Sequence, residues 1–403
     1  MKILFGVVYY EPAWAYGGPP RMVFDLARAL AQRGHEVTVC TTDALDQGTR
    51  IEALEEVSQG VRVVRFRNLS NWVAFHLKIF LPRGMRAWLN DHVREYDVVH
   101  LFDARTLLNA WAATAAATQG VPFFASVWGS LPRGEGWRAW IKDAYDLAYG
   151  DVHYRQAAGL LAQNEHEAGL YGEYGSPPER VQIWPLGVDP SDFEKVPARG
   201  TFRARLGLSA DVPLVLFVGR IHELKGLDPL LRALAEAKRR VPDAQLAVVG
   251  RDDGYLERMH ALARELGIAD SLHFVGPLYG DEVLPAYVDA DLFAITPTHF
   301  EETSLASLAA CAVGTPVLIN DRCGIPWLDA YDAGRCVPHT VEALAASMSE
   351  LLADRARLAQ MGANARRMVQ ERFLLPRVVD QVEALYRQAC AAPHGERSEA
   401  AAE

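Results

Sequence analysis

Three short stretches carry residue types and spacings that could do chemistry. The segment Gly219-Arg220-Ile221-His222-Glu223-Leu224-Lys225-Gly226 follows the apolar run Leu214–Val218. Gly219 permits a tight exit from a strand, and Arg220 and Lys225 stand in the loop beyond it. Two cations beside a strand's carboxyl end suit a diphosphate, because ligands gather there in open α/β sheets. The alternative is a pair of solvated surface cations. In the second stretch, Thr298-His299-Phe300-Glu301-Glu302-Thr303-Ser304-Leu305, the chain crosses a polar loop and enters a helix of small residues near Ser304. Backbone N–H groups of Thr303, Ser304 and Leu305 at that helix start would attract a phosphate, and Glu301 could accept hydrogen bonds from sugar hydroxyls. The same residues also read as an ordinary helix cap with acids near the positive end of the dipole. The third is Gly17-Gly18, followed by Pro19-Pro20 and a helix. It either lets the backbone approach an anion at the helix start or is simply a turn. No GxGxxG follows the first strand, which argues against a nicotinamide or flavin cofactor.

The elements that must position these stretches are legible from periodicity. Apolar, β-branched runs recur at Ile3–Val8, Val37–Thr41, Val61–Phe66, Val98–Leu101, Pro122–Val127, Leu160–Gln163 and Val181–Trp184. They resume at Leu214–Val218, Leu246–Val249, Leu272–Val275, Leu292–Thr296 and Val317–Ile319. Most are continuous rather than alternating, as parallel strands covered on both faces require. Amphipathic helices lie between them, with Val23, Leu26, Ala27 and Leu30 on one face of the first. Strand–helix repeats of this kind predict a doubly wound α/β architecture. The series restarts once, after a Pro-, Gly- and charge-rich stretch that reads as a linker with one short helix. The expected domains are residues 1–187 and 195–375, then a helix over 376–391 and a disordered tail over 392–403.

Composition bounds the rest. With 403 residues, half of them hydrophobic and 23% charged, the chain can bury sizeable cores, and it is not disordered, collagenous or coiled-coil. No apolar run is long enough for a bilayer span, and the N-terminus lacks the pattern of a secretory signal, so a cytoplasmic protein is expected. Five widely spaced Cys without a CxxC pair read as reduced thiols rather than disulfides or a zinc site. The net charge of −10 argues against nucleic-acid binding. Inside that acidic chain, residues 61–94 hold seven basic residues and one acid, a net of +6. This island interleaves Arg83, Arg86 and other cations with Trp72, Phe75, Phe80, Met85 and Trp88. It reads either as an interfacial contact with an anionic membrane, through Arg83 and Arg86, or as a solvated helix pair whose aromatics face the core.

Taken together, the pattern at Gly17 to Val39, the GRxxxxKG at Gly219 to Gly226 and the ExxSLxxL…GTP at Glu301 to Pro316 resemble the retaining GT-B glycosyltransferases of family 4. The resemblance spans about residues 1–390 with the motifs in order. It implies a GT-B fold, two Rossmann-like domains facing a cleft, and a last helix that crosses back to the first domain. It implies that a UDP- or GDP-sugar donor binds at Gly17, Gly18, Gly219, Arg220, Lys225, Glu301, Thr303, Ser304 and Leu305, with Arg220, Lys225 and Glu301 as the catalytic set. No metal or other cofactor is expected, since Asp289-Ala290-Asp291, spelled like a metal motif, is a structural position in the family.

The acceptor implied is a saccharide or a lipid-linked glycan at the cytoplasmic leaflet, in polysaccharide or glycolipid assembly. Two departures stand out. The family's second Glu falls on Ala309, and a frequent His near residue 127 is replaced by Trp128, which either contacts a sugar or packs. His100 either faces the cleft as an acceptor contact or is packed. In front-face retaining transfer the leaving phosphate can take the acceptor's proton, so the protein must chiefly supply positive charge. A degenerate, non-catalytic binding or scaffold protein is the rival reading that Ala309 and Trp128 motivate.

Overall fold

The computed structural model describes residues 1–16, 18–132 and 137–392. Gly17 and the expected tail beyond Ala392 therefore lie outside the described residues. The chain divides into two compact units, Met1–Pro185 together with the residues from Val378 onward, and Leu186–Arg377.

The first unit is built on an eight-stranded sheet. Its strands are β1 (Lys2–Gly6), β2 (Glu36–Thr42), β3 (Glu55–Ser58), β4 (Val61–Phe66), β5 (Val98–Phe102), β6 (Phe123–Ser126), β7 (Gly159–Ala162) and β8 (Val181–Ile183). The order is β3-β4-β2-β1-β5-β6-β7-β8, parallel except for β3 against β4. β1 is central because its interior is wholly apolar; Ile3, Leu4 and Phe5 are fully buried. Ile3 pairs in register with Val37 on one side and Val98 on the other. From Val378 the final helix, Leu375–Ala391, packs with this unit. Trp184 Nε1 donates to the Val378 carbonyl at 3.0 Å, and Arg33 pairs with Asp380 and Glu383 at 2.7 and 2.9 Å.

The second unit carries six parallel strands in the order β11-β10-β9-β12-β13-β14. They are β9 (Leu214–Val218), β10 (Gln245–Val249), β11 (Leu272–Gly276), β12 (Leu292–Ile295), β13 (Val317–Asn320) and β14 (Gly334–Val337). Here Val215 pairs with Leu246 on one side and Leu292 on the other. In each sheet the chain winds outward one way and then the other, so strand order reverses between β1 and β5 and again between β9 and β12.

Two strands were not anticipated, β3 and β14. Both sit at a sheet edge with mixed exposure, so neither needs a continuous apolar run. The linker also holds more order than its composition suggests. Its helix Thr201–Leu206 buries Phe202 and Arg203, and Asp289 accepts the amides of Phe202 and Arg203 at 2.6 and 2.9 Å. Asp291 binds Arg203 Nη2 at 2.7 Å and the Leu214 amide at 2.9 Å, so this pair of carboxylates is spent on anchoring.

Candidate active site

The switch point of the second sheet gathers the motif residues. The loop after β9 is bolted to the end of β12: Thr296 Oγ1 donates to the Gly226 carbonyl at 2.6 Å, and the Thr298 amide to the Leu224 carbonyl at 3.1 Å. Gly226 must be glycine there, because its φ is +71° and a Cβ would lie 1.6 Å from the Thr296 oxygen. On the other side the loops after β9 and β10 pair through Ile221 and Asp252. Gly250, at φ +157°, lets the Gly219 carbonyl approach; a Cβ would stand 1.8 Å from that oxygen. Glu301 is held by its backbone, with its amide on the Arg322 carbonyl at 2.7 Å and its own carbonyl accepting from Gly324 at 2.9 Å.

These anchors bring Lys225 and Glu301 into an ion pair of 2.8 Å, each about a quarter exposed (24% and 23%). Arg220, half exposed, instead reaches Asp253 at 2.5 Å. The sequence reading does not single out Asp253. The repeated Val-Gly-Arg at 218–220 and 249–251 was the signal that two strands end alike and side by side. The exposed Arg220–Asp253 pair contributes about 0–1 kcal/mol, so a dianionic ligand can open it at little cost. A ligand that also draws Lys225 away leaves Glu301 to accept a hydroxyl.

Ser304 caps the helix Leu305–Val313, its Oγ accepting the Ser307 amide at 3.2 Å. Among the described residues the amides of Thr303, Ser304 and Leu305 make no backbone hydrogen bond, so they are the groups of this helix start that can meet an anion. Ala309 is partly exposed on the same side of this helix as Leu305. Gly18 begins the helix Gly18–Gln32 in the first unit.

His100 is a correction. It is fully buried, with Nδ1 2.5 Å from the Tyr386 hydroxyl and Nε2 2.8 Å from Ser126 Oγ, and burial lowers its pKa to about 3. Both ring nitrogens are used inside the unit, so it presents no edge to an acceptor. Trp128 is partly exposed, sits at φ +47° and packs against Phe102 at 4.9 Å between ring centroids. Its neighbour Gly129 is pinned by the buried carboxylate of Glu167 at 2.5 Å.

The basic island is smaller than its charge count. Arg62, Arg65 and Arg67 pair with Glu55, Glu56 and Asp43 at 2.7, 2.6 and 3.3 Å. Phe80 and Met85 lie in the core. Arg83 and Arg86 are exposed and make no ion pair among the described residues. Leu69 and Trp72 are 51% and 58% exposed. The Arg83 amide bonds the Arg67 carbonyl at 3.0 Å, and the Leu69 amide the Leu81 carbonyl at 3.1 Å, which sets the segment carrying Leu69 beside the one carrying Arg83. Among the described residues no helix is long and apolar enough to cross a membrane, and no cluster of His, Cys, Asp or Glu could hold a metal ion.

Comparison with known proteins places this geometry. Residues 198–368 match the family described as Glycosyl transferases group 1, and residues 16–192 match Glycosyltransferase Family 4. The D-inositol 3-phosphate glycosyltransferase of Kineococcus radiotolerans is 31% identical over 383 residues, covering 88% of this chain and 86% of that protein. The protein of the same description from Gordonia bronchialis is 31% identical over 401 residues, covering 93% and 84%. In structure, Anabaena Alr3699/HepE in complex with UDP superposes with a TM-score of 0.76 at 19% identity, covering 96% of this chain and all of that one. WaaG, a glycosyltransferase involved in lipopolysaccharide biosynthesis, gives 0.66 at 21% identity, covering 94% and 99%. Two doubly wound sheets, the ordered motifs and a relative matched over 88% of the chain converge: the chain belongs to glycosyltransferase family 4, with the two Rossmann-like domains of the GT-B fold.

Proposed function

We propose that this protein is a retaining hexosyltransferase that takes its sugar from a UDP- or GDP-linked donor and needs no metal. The observation that carries the reading is the Lys225–Glu301 pair beside Arg220 at the switch point of the second sheet. Arg220 and Lys225 neutralise the departing diphosphate, the Thr303, Ser304 and Leu305 amides bind its oxygens, and Glu301 orients the sugar through a hydroxyl. Alr3699/HepE, solved in complex with UDP and with UDP-glucose, supports a uridine nucleotide as the first donor to try. The setting is polysaccharide or glycolipid assembly. Calorimetric titration with UDP-glucose and GDP-mannose tests the donor assignment. Binding of one donor is expected, weakened at least tenfold by Arg220→Ala or Lys225→Ala; binding of neither would favour a non-catalytic relative.

Peripheral membrane contact belongs to the same reading. Leu69 and Trp72 offer apolar surface beside the unpaired Arg83 and Arg86, the mixture an anionic interface attracts. Flotation with vesicles containing phosphatidylglycerol is expected to fall when Arg83 and Arg86 are both changed to Gln. Equal flotation by that variant contradicts the contact.

A further inference from the structure

β9 and β10 run in register to their last residues, Val218 opposite Val249, and each strand is followed by Gly-Arg. The two chains stay zipped beyond the sheet. The Ile221 amide donates to the Arg251 carbonyl at 2.9 Å, and the Asp253 amide to the Ile221 carbonyl at 3.1 Å. Asp252 fixes the turn from the other side, its Oδ1 accepting the amides of Gly254, Tyr255 and Leu256 at 2.9, 2.9 and 3.0 Å. Asp253 is therefore placed by its backbone, and its Oδ2 meets Arg220 Nη1 at 2.5 Å.

That contact uses one nitrogen of the guanidinium. Among the described residues Nε and Nη2 of Arg220 make no hydrogen bond or ion pair, so this edge can grip a phosphate through two parallel bonds. Lys225 faces Glu301 in the same way, and the four side chains sum to zero charge. Sugar transfer changes what the cations meet. In the donor the second phosphate is bonded to the sugar; after transfer it is a terminal group with about one more negative charge near pH 7.5. Cations that stabilise the departing diphosphate thus hold the product harder than the donor, which slows its discharge. A carboxylate fixed at Arg220 opposes this, because it repels the more highly charged product more strongly.

We propose that Asp253 is a positioning residue for product release: it recaptures Arg220 from the nucleoside diphosphate and keeps the product from occupying the site. The inference rests on the transferase reading above and adds control of its last step. The geometry suits exchange rather than a permanent clamp. The Arg220 and Asp253 side chains are 49% and 33% exposed, so water can replace either partner. Asp291, by contrast, holds an Arg203 side chain that is only 2% exposed, where no solvent can take over.

The test uses the full chain, with calorimetric titration of UDP, GDP, UDP-glucose, GDP-mannose and inorganic pyrophosphate. Release of the nucleoside diphosphate is followed by stopped-flow displacement of a fluorescent analogue. Asp253→Asn keeps the shape and an accepting oxygen while removing the charge. Affinity for the nucleoside diphosphate is expected to rise about threefold to fivefold, with release slowed to match, while affinity for its sugar donor changes by less than about twofold. Made in the Arg220→Ala chain, the same change should do nothing, since Asp253 acts through that guanidinium. Three results would each overturn the proposal: no gain in diphosphate affinity, an equal gain for diphosphate and donor, or a gain that persists without Arg220. Pyrophosphate separates this from the donor assignment. If no nucleotide binds but pyrophosphate binds more tightly to Asp253→Asn, the donor assignment falls and the exchange at Arg220 stands. If neither nucleotide nor pyrophosphate binds, both fall.

Discussion

At the scale of single residues, burial decides what a titratable group can do. His100 and His153 are both fully buried, and burial lowers their pKa values to about 3 and about 4. The unfolded chain takes up their protons near pH 6.5, which the folded unit refuses until far lower pH. Their contribution to stability is therefore complete above about pH 6.5 and falls as pH drops toward 4, by up to about 1.4 kcal/mol per pH unit for each ring. Urea unfolding of the first unit between pH 7.5 and 5 should show this slope, and His100→Gln should flatten it by about one proton. An unchanged slope in that variant would contradict the burial argument. His100 also marks the limit of reading residues one by one. A His near a strand's carboxyl end looks available, and only the Tyr386 hydroxyl, 286 positions away, shows that the ring is spent. Arg220, Lys225 and Glu301 were legible because their motifs put charge beside strand ends.

At the scale of elements, twofold burial made the central strands readable and left the edges dark. β9 and β12 are continuous apolar runs because both faces are covered, whereas Glu55-Glu56-Val57-Ser58 forms a strand only by pairing with β4. The loops are where precision resides. Gly226 holds the β9 loop against β12, so Gly226→Ala should cost about 1–3 kcal/mol from its positive φ alone, before overlap with Thr296 is relieved. Because the displaced loop carries Lys225, donor affinity should fall along with stability. Chemical denaturation and UDP titration of this variant check both. A variant of normal stability and affinity would show that the loop does not depend on this contact.

At the scale of the molecule, a chain with a net charge of −10 keeps its cations where anions are expected. One set lies at the switch point of the second sheet and another on the Arg83–Arg86 surface of the first unit. The matching topology gives each sheet a switch point, and the proposed donor site lies at that of the second. On the proposed donor reading, the departures at Ala309 and Trp128 would each remove one contact and leave Arg220 and Lys225 in place. Loss of one hydrogen bond costs on the order of 1 kcal/mol, less than tenfold in affinity. The most direct measurement is therefore turnover: release of UDP or GDP from its sugar nucleotide by the unmodified chain, alongside Arg220→Ala and Lys225→Ala. Slow release by the unmodified chain, reduced at least about a hundredfold in either variant, is the expected result. Release that both variants retain in full, or none at all from a donor that binds tightly, would contradict catalysis at this site.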